Sequence, residues 1–488
     1  MRFVPLFLFL FALVVRVVAL KVTGFDGLYG QDPFAYYQYA LELRLAVAAG
    51  QAPPPFFWPI GYPMLVMAAS MLIGTQPLAG QLVSVVAGAA VAPLVYSLAR
   101  ANWPERYFGG VVAGLLAATA GQLLLSSLSV MADTAALFWA TLSAWLLLQY
   151  AQRLQMRWWV GAAVTLAFAT LSRWVYGLLL FPWAVTALVV WQQAGYPWRR
   201  RLWLAAVAGL LGFGLLALHL AADLERGEVS YAGDLQVYSW HPANALKSEV
   251  VNEDGRFQYE YSTGVFYTRP AFHPAYIFPL LTPFWLLGLW AIRRDPLPYR
   301  VLLIGWLLMM YLFLIGVPWQ NWRFPLAFFP PLLVLLALGL DWLWWRLIGK
   351  WRWLLLVYCA AAILGSMVWA SHDVGRYTTW AAERKRTAVT IANQLPPNAT
   401  LLAFDLTATL QHYTAIHTLE LFSLSEVELA ALLLEDTAVY LLLNPGNIQN
   451  QWAGKPPERN FAWLQDHAKL TPVAVYGSLV LYQVEIGD

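Results

Sequence analysis

Residues 323–353 read RFPLAFFPPLLVLLALGLDWLWWRLIGKWRW, and what this stretch can be decides the fold. The run 324–345 is apolar and about the length that crosses roughly 30 Å of hydrocarbon. Beyond it, Trp342, Trp344, Trp345, Trp351 and Trp353 flank a basic turn around Lys350, as amphipathic rings at a membrane interface do. A second apolar run, 351–370, follows at once. Composition extends the same reading to the whole chain: 60% of its 488 residues are hydrophobic and 12% are charged, against about half and about a quarter in soluble domains. The formal net charge of +3 is too small for a nucleic-acid surface. The single cysteine, Cys359, lies in an apolar run, which leaves no disulfide framework and no cysteine metal site.

Further candidate spans are 3–20, 77–99, 131–150, 174–192, 202–222, 275–292 and 299–317. Two shorter runs, 107–121 and 157–172, are needed if every basic cluster is to fall on one side, which brings the total to about eleven. No small-residue cleavage site follows the first run, only Lys21, Val22 and Thr23, so it reads as a retained signal-anchor. The run from Ile60 to Gly74 follows Trp58-Pro59 and is short, which assigns it to the interface. With the N-terminus inside, Arg100, Arg106, Arg153, Arg157, Arg199, Arg200, Arg201, Arg293, Arg294, Arg300, Arg346, Lys350 and Arg352 fall in inner loops. The short outer loops receive only Lys21, Arg44, Arg173 and Arg323, the positive-inside asymmetry.

The expected fold is therefore a polytopic α-helical membrane protein with a small soluble α/β domain at its C-terminus. Residues 1–370 form the transmembrane domain, with outer loops 21–60 and 223–274, and residues 371–488 form an extracytoplasmic domain. In that tail a helical pattern, WAAERKRTAVTIANQL (380–395), stops at Pro396-Pro397. The segments TLLAF, VYLLL and the pair VAVYG/LVLYQV read as strands.

The first outer loop carries Gly30-Gln31-Asp32-Pro33-Phe34-Ala35-Tyr36. Pro33 suits the first helical position and Asp32 the N-cap, so a helix starts here with Tyr36, Tyr37 and Tyr39 in its first two turns. Asp32 either only caps that helix or serves as a general base at the outer membrane edge. Asp133, in Ser129-Val130-Met131-Ala132-Asp133, sits at the outer end of a span, where an ionisable group is costly and by default functional; its plain alternative is an N-cap. Arg173 and Arg323 are the arginines of the short outer connections between later spans. Each is suited to pair with a carboxylate or a phosphate, or else to anchor at the interface. In the long outer loop His241, Glu253, Asp254, Arg269 and His273 are polar enough for substrate contact, without metal-ligand spacing. His412 and His417, in a helix or turn, read as solvated surface. No glycine pattern for nucleotide binding is present.

The order of Gly30-Gln31-Asp32, Trp58-Pro59-Ile60-Gly61-Tyr62-Pro63, Ser129 to Asp133, Leu171-Ser172-Arg173 and Arg323-Phe324-Pro325-Leu326 resembles the GT-C superfamily of polyprenyl-phosphate-sugar-dependent membrane glycosyltransferases, in particular the protein mannosyltransferase type. The likeness covers residues 1 to about 370. It departs from the pattern at Asp32-Pro33, where many members have Asp-Glu, and it lacks the Trp-Trp-Asp-Tyr-Gly signature of oligosaccharyltransferases. The resemblance implies transfer of a sugar from a polyprenyl-phosphate donor to an acceptor hydroxyl on a lipid, glycan or protein, with inversion, on the extracytoplasmic face of the plasma membrane. Asp32 and Asp133 are the expected catalytic residues, and Arg173, Arg323, Arg269, His273 and Tyr36 the expected substrate contacts. No metal ligands are assigned, and a requirement for a divalent metal stays open. The rival expectation is a transporter or flippase for a lipid-linked substrate, which would line a pathway with the same charges.

Overall fold

The computed structural model describes residues 3–225, 239–252, 254–434 and 437–486. They fall into two units, the first made of Met1–Leu28, Ala35–Leu246 and Thr263–Arg376, the second of Tyr29–Phe34, Lys247–Ser262 and Tyr377–Asp488.

The first unit is helical. Its elements run α1 (Val4–Thr23), α2 (Asp32–Ala48), α3 (Gly61–Ile73), α4 (Leu78–Ala99), α5 (Phe108–Thr119), α6 (Gly121–Leu128), α7 (Ala132–Arg153), α8 (Met156–Ser172), α9 (Leu180–Gln193) and α10 (Trp198–Glu225). Helices Thr282–Ala291, Leu297–Gly316 and Phe329–Trp344 follow, and a last helix, Lys350–Gln394, runs from this unit into the second at Arg376. Among the described residues eight helices are long and apolar enough to cross a membrane, or nine if one bent pair counts as a single span. The figure of eleven is not reached by length: the expected spans 157–172 and 275–292 form helices of 17 and 10 residues. The run after Trp58-Pro59 forms the 13-residue α3, about 20 Å at 1.5 Å per residue and too short to cross.

The weak span at 107–121 is one half of the bent pair, α5 and α6 meeting at 48°. Ala120 is extended at the break, which frees carbonyls that lipid cannot satisfy. Arg16, fully buried in α1, donates to the Ala118 carbonyl at 3.2 Å and to the Ser127 hydroxyl at 3.0 Å. The Ser366 hydroxyl donates to the Thr119 carbonyl at 3.4 Å. An arginine buried in a span here closes the hydrogen bonds of a broken helix.

Close packing follows small residues. A Cβ on Gly288 would lie 1.8 Å from the Leu335 carbonyl oxygen, and one on Gly339 1.9 Å from that of Phe284, so helices Thr282–Ala291 and Phe329–Trp344 cross backbone to backbone. The second of these is buried along nearly its whole length, which is why it is apolar on every face.

The second unit holds a five-stranded mixed sheet of order β4 (His417–Glu420), β3 (Thr400–Ala403), β5 (Val439–Leu443), β7 (Leu479–Ile486) and β6 (Ala468–Tyr476). The strands β4, β3 and β5 are parallel, and β7 and β6 return antiparallel. Leu402, Leu441, Leu443, Phe461 and Leu464 fill one face, and Leu401, Leu442, Leu410 and Ile391 the other. A hairpin, β1 (Glu249–Asn252) and β2 (Gly255–Gln258), joins the same unit: the Arg256 amide donates to the Gln451 carbonyl at 2.6 Å. The helical pattern of the tail proved to be the end of one 45-residue helix, Lys350–Gln394. His412 and His417 do not share an element. His412 lies in the helix Thr407–Tyr413 and His417 in β4, half of a parallel pair whose short, half-polar sequence gives no strand signal.

Candidate active site

One end of the helical unit encloses a cavity of about 210 Å³. Three chain reversals build it: the loop into α7, the turn between α8 and α9, and the connection Val317–Phe328 before Phe329–Trp344. The first is pinned by Gln81 of α4, whose amide donates to the carbonyls of Phe25 and Leu128 at 2.9 Å each. The Val130 amide donates to the Gly27 carbonyl at 3.0 Å. Gly27 has φ +90, and a Cβ there would meet Gln81 at 2.5 Å, so glycine lets the α1 exit and the α7 entry lie against α4.

Asp133 stands in the first turn of α7 and is 4% exposed. Its Oδ1 accepts from Arg173, the residue that ends α8. Its Oδ2 is buried and has no hydrogen-bond partner among the described residues. The Arg173 guanidinium also lies 5.5 Å from the centre of the Phe324 ring, and that of Arg323 lies 5.6 Å from the same ring. Arg323 Nη1 reaches the Met131 sulfur at 3.3 Å. The two cations therefore flank one aromatic ring, and one of them is neutralised by Asp133. All three charged side chains line the cavity.

The facing wall is aromatic. Tyr36 stacks on Trp58 with ring centres 5.0 Å apart and meets Tyr62 edge-on at 5.4 Å. Tyr62 shares a 2.8 Å hydrogen bond with the Ser84 hydroxyl, which donates to the Met131 carbonyl at 3.2 Å. This chain of polar contacts ties the wall to the segment that carries Asp133. A Cβ on Gly61 would lie 2.7 Å from the Leu171 carbonyl oxygen, so the start of α3 is pressed on the end of α8, just before Arg173. The remaining lining includes Trp174, Trp240, Phe313, Leu314 and Val317.

Of the residues expected from sequence, Tyr36, Asp133, Arg173 and Arg323 thus meet in one cavity. Asp32 opens α2 and is not among the residues that line the cavity. Arg269 and His273 gather elsewhere, around Trp322: the Arg269 guanidinium is 5.2 Å from that ring and His273 4.6 Å. Burial first, and the Arg269 charge second, hold the His273 pKa down at about 4. Asp254 belongs to the β1–β2 turn of the other unit, and Glu253 lies outside the described residues. No group of three or more His, Cys, Asp or Glu that could hold a metal ion occurs among the described residues. Sequence reasoning missed Trp58, Trp174 and Phe324 as cavity walls. Trp58 and Phe324 belonged to quoted motifs, but nothing local distinguishes a wall aromatic from an interfacial one.

The fold is shared with several solved structures, at low sequence identity. The family model for dolichyl-phosphate-mannose-protein mannosyltransferase matches residues 57–221, a segment that contains Trp58, Asp133 and Arg173. Among solved structures, ArnT from Cupriavidus metallidurans bound to undecaprenyl phosphate superposes with a TM-score of 0.67 at 15% identity, over 98% of this chain and 97% of that one. The Archaeoglobus fulgidus oligosaccharyltransferase in its apo form gives 0.59 at 13% identity, over 99% of this chain and 74% of that one. The archaeal oligosaccharyltransferase AglB from Archaeoglobus fulgidus, in complex with an inhibitory peptide and a dolichol-phosphate, gives 0.55 at 13%, over 96% of this chain and 74% of that one. Comparison with curated proteins by sequence finds no match.

Proposed function

We propose that the chain is a membrane glycosyltransferase that moves a sugar from a polyprenyl-phosphate donor to an acceptor hydroxyl, with inversion, on the extracytoplasmic face of the plasma membrane. The observation that carries this reading is the meeting of Arg173, Arg323 and a buried Asp133 with an aromatic wall in one cavity. A phosphate leaving group departs with a negative charge and needs no strong proton donor. It needs fixed cations, which are worth most where water is excluded. Arg323 supplies one directly. Arg173, held by Asp133, supplies a second whose orientation is set before substrate arrives.

In the reaction, the acceptor oxygen forms a bond to the anomeric carbon while the bond from that carbon to the phosphate oxygen breaks, its electron pair staying on phosphate. The acceptor proton passes to the Asp32 carboxylate. Asp133 serves as the partner that holds Arg173, and the Tyr36–Trp58 stack offers an apolar face to a sugar ring. The lipid carrier follows from the proposed orientation, with the N-terminus cytoplasmic: the external face has no supply of nucleotide sugars. Two structural relatives were captured with undecaprenyl phosphate and with a dolichol-phosphate, the chemical class of the leaving group in this reaction.

The test is mass spectrometry of the purified full-length protein in lipid with a panel of polyprenyl-phosphate sugars and of lipid, glycan and peptide acceptors. Release of one polyprenyl phosphate for each glycosylated product is expected. Movement of the lipid-linked sugar between leaflets without any transfer, across the whole panel, would instead establish the flippase reading.

A further inference from the structure

The hexapeptide Tyr29–Phe34, which contains Asp32, packs as part of the C-terminal unit. Both of its aromatic residues take partners from the tail. Tyr29 meets Tyr377 edge-on with ring centres 4.9 Å apart. Phe34 meets His412 at 5.6 Å and Tyr413 at 5.9 Å, and it is 5% exposed. The Lys385 ammonium in turn lies 4.0 Å from the centre of the Tyr413 ring. Asp32 is therefore bracketed, three residues before and two after, by ring contacts within the C-terminal unit. Gly30, two residues before Asp32, has φ +83, a left-handed backbone conformation that glycine adopts without steric cost.

The seat itself is anchored deep in the tail. His412 and Tyr413 end the helix Thr407–Tyr413, whose Leu410 is fully buried with Leu401, Leu442 and Ile391 against the sheet. Tyr377 and Lys385 belong to the helix Lys350–Gln394, whose Ala388 and Ile391 enter the same core. Sheet core, short helix, aromatic pair and Phe34 form one contiguous packed path to Asp32.

We propose that the C-terminal unit is the seat of Asp32, with Phe34 and Tyr413 as positioning residues for the transfer step. This rests on Asp32 being the general base. Placement of a base relative to its proton matters at the sub-ångström level, and displacement by about 1 Å costs on the order of a hundredfold in rate. Donor binding needs none of these contacts, because phosphate is held by Arg173 and Arg323 in the proposed site. The tail then acts on the rate of transfer and leaves donor affinity alone.

The experiment uses full-length protein in lipid, with Phe34→Ala, Tyr413→Ala and Tyr413→Phe. The first two are expected to lower kcat by about tenfold or more with donor Kd within about twofold, and Tyr413→Phe, which keeps the ring, to recover most of the rate. A second measurement is independent of activity. Asp32→Cys is labelled with a membrane-impermeant maleimide, the sole native cysteine, Cys359, being buried. Adding Tyr413→Ala should speed labelling about tenfold, because the seat is lost. The proposal is overturned by unchanged kcat in both alanine variants, by a loss that Tyr413→Phe does not recover, by donor Kd weakening in step with kcat, or by an unchanged labelling rate. Full activity of Asp32→Asn would end the base assignment itself, and the labelling result would still report whether the seat exists.

Discussion

Arg173 and Asp133 are bonded across a gap of 40 residues, the one ending α8 and the other opening α7. Antiparallel packing of consecutive helices puts these two ends side by side, and the pair is the most enclosed charge in the cavity. Removing Arg173 takes the hydrogen-bonded cation from a carboxylate at 4% exposure. Arg173→Ala should therefore cost about 3 kcal/mol of stability, and Asp133→Ala added to it should restore part of that loss. Thermal unfolding of the two single variants and the double variant in detergent checks this. Additive losses would show that the two side chains do not act as a pair.

Asp32 and Arg323 should separate kinetically. Asp32→Asn is expected to lower transfer by about a thousandfold with donor binding retained, as befits a general base. Arg323→Ala is expected to weaken donor binding by about tenfold or more, because a charge-assisted bond to phosphate is lost. Titration of each variant with a polyprenyl phosphate, alongside turnover, distinguishes them. Unchanged donor affinity in Arg323→Ala would remove that residue from the phosphate site.

Gly61 marks the contact that places the aromatic wall against α8. A methyl group there meets a backbone carbonyl at 2.7 Å, which cannot rotate away. Gly61→Ala should cost about 2 kcal/mol and lower activity, since relief requires α3 and Trp58 to move. Gly209, in α10, has nothing within 4 Å of its Cβ position, so Gly209→Ala should be neutral or slightly stabilising. Equal behaviour of the two variants would rule out the close approach.

His273 gives a pH signature. Its pKa is held down from 6.5 to about 4 by burial and by Arg269, so over that interval the unfolded chain binds a proton that the folded chain refuses. Stability contributed by the neutral ring is complete above pH 6.5 and is lost as pH falls toward 4. His273→Gln should flatten the melting temperature against pH across this window. An unchanged slope would mean that the ring stays neutral for neither reason.

Much of this was legible in the chain itself. Apolar runs of span length follow from lipid acting as solvent, and that constraint acts on each segment separately. Asp133 was legible as a candidate because an ionisable group is costly at a span's end, Arg173 and Arg323 as the arginines of short outer connections, and Tyr36 through the resemblance alone. The helix from Asp32 was legible from Asp32-Pro33 alone. Other features needed the tertiary structure. Hydropathy could not show that Phe329–Trp344 is enclosed by other helices, because burial in protein and burial in lipid ask for the same residues. The break at Ala120 was hidden because side chains distant in sequence satisfy its freed carbonyls, Arg16 that of Ala118 and Ser366 that of Thr119. The pairing of Asp133 with Arg173, the separate grouping of Arg269 and His273 on Trp322, and the packing of Asp32's hexapeptide with the tail are long-range choices. They depend on which surfaces meet when the helices pack, and no local pattern encodes that.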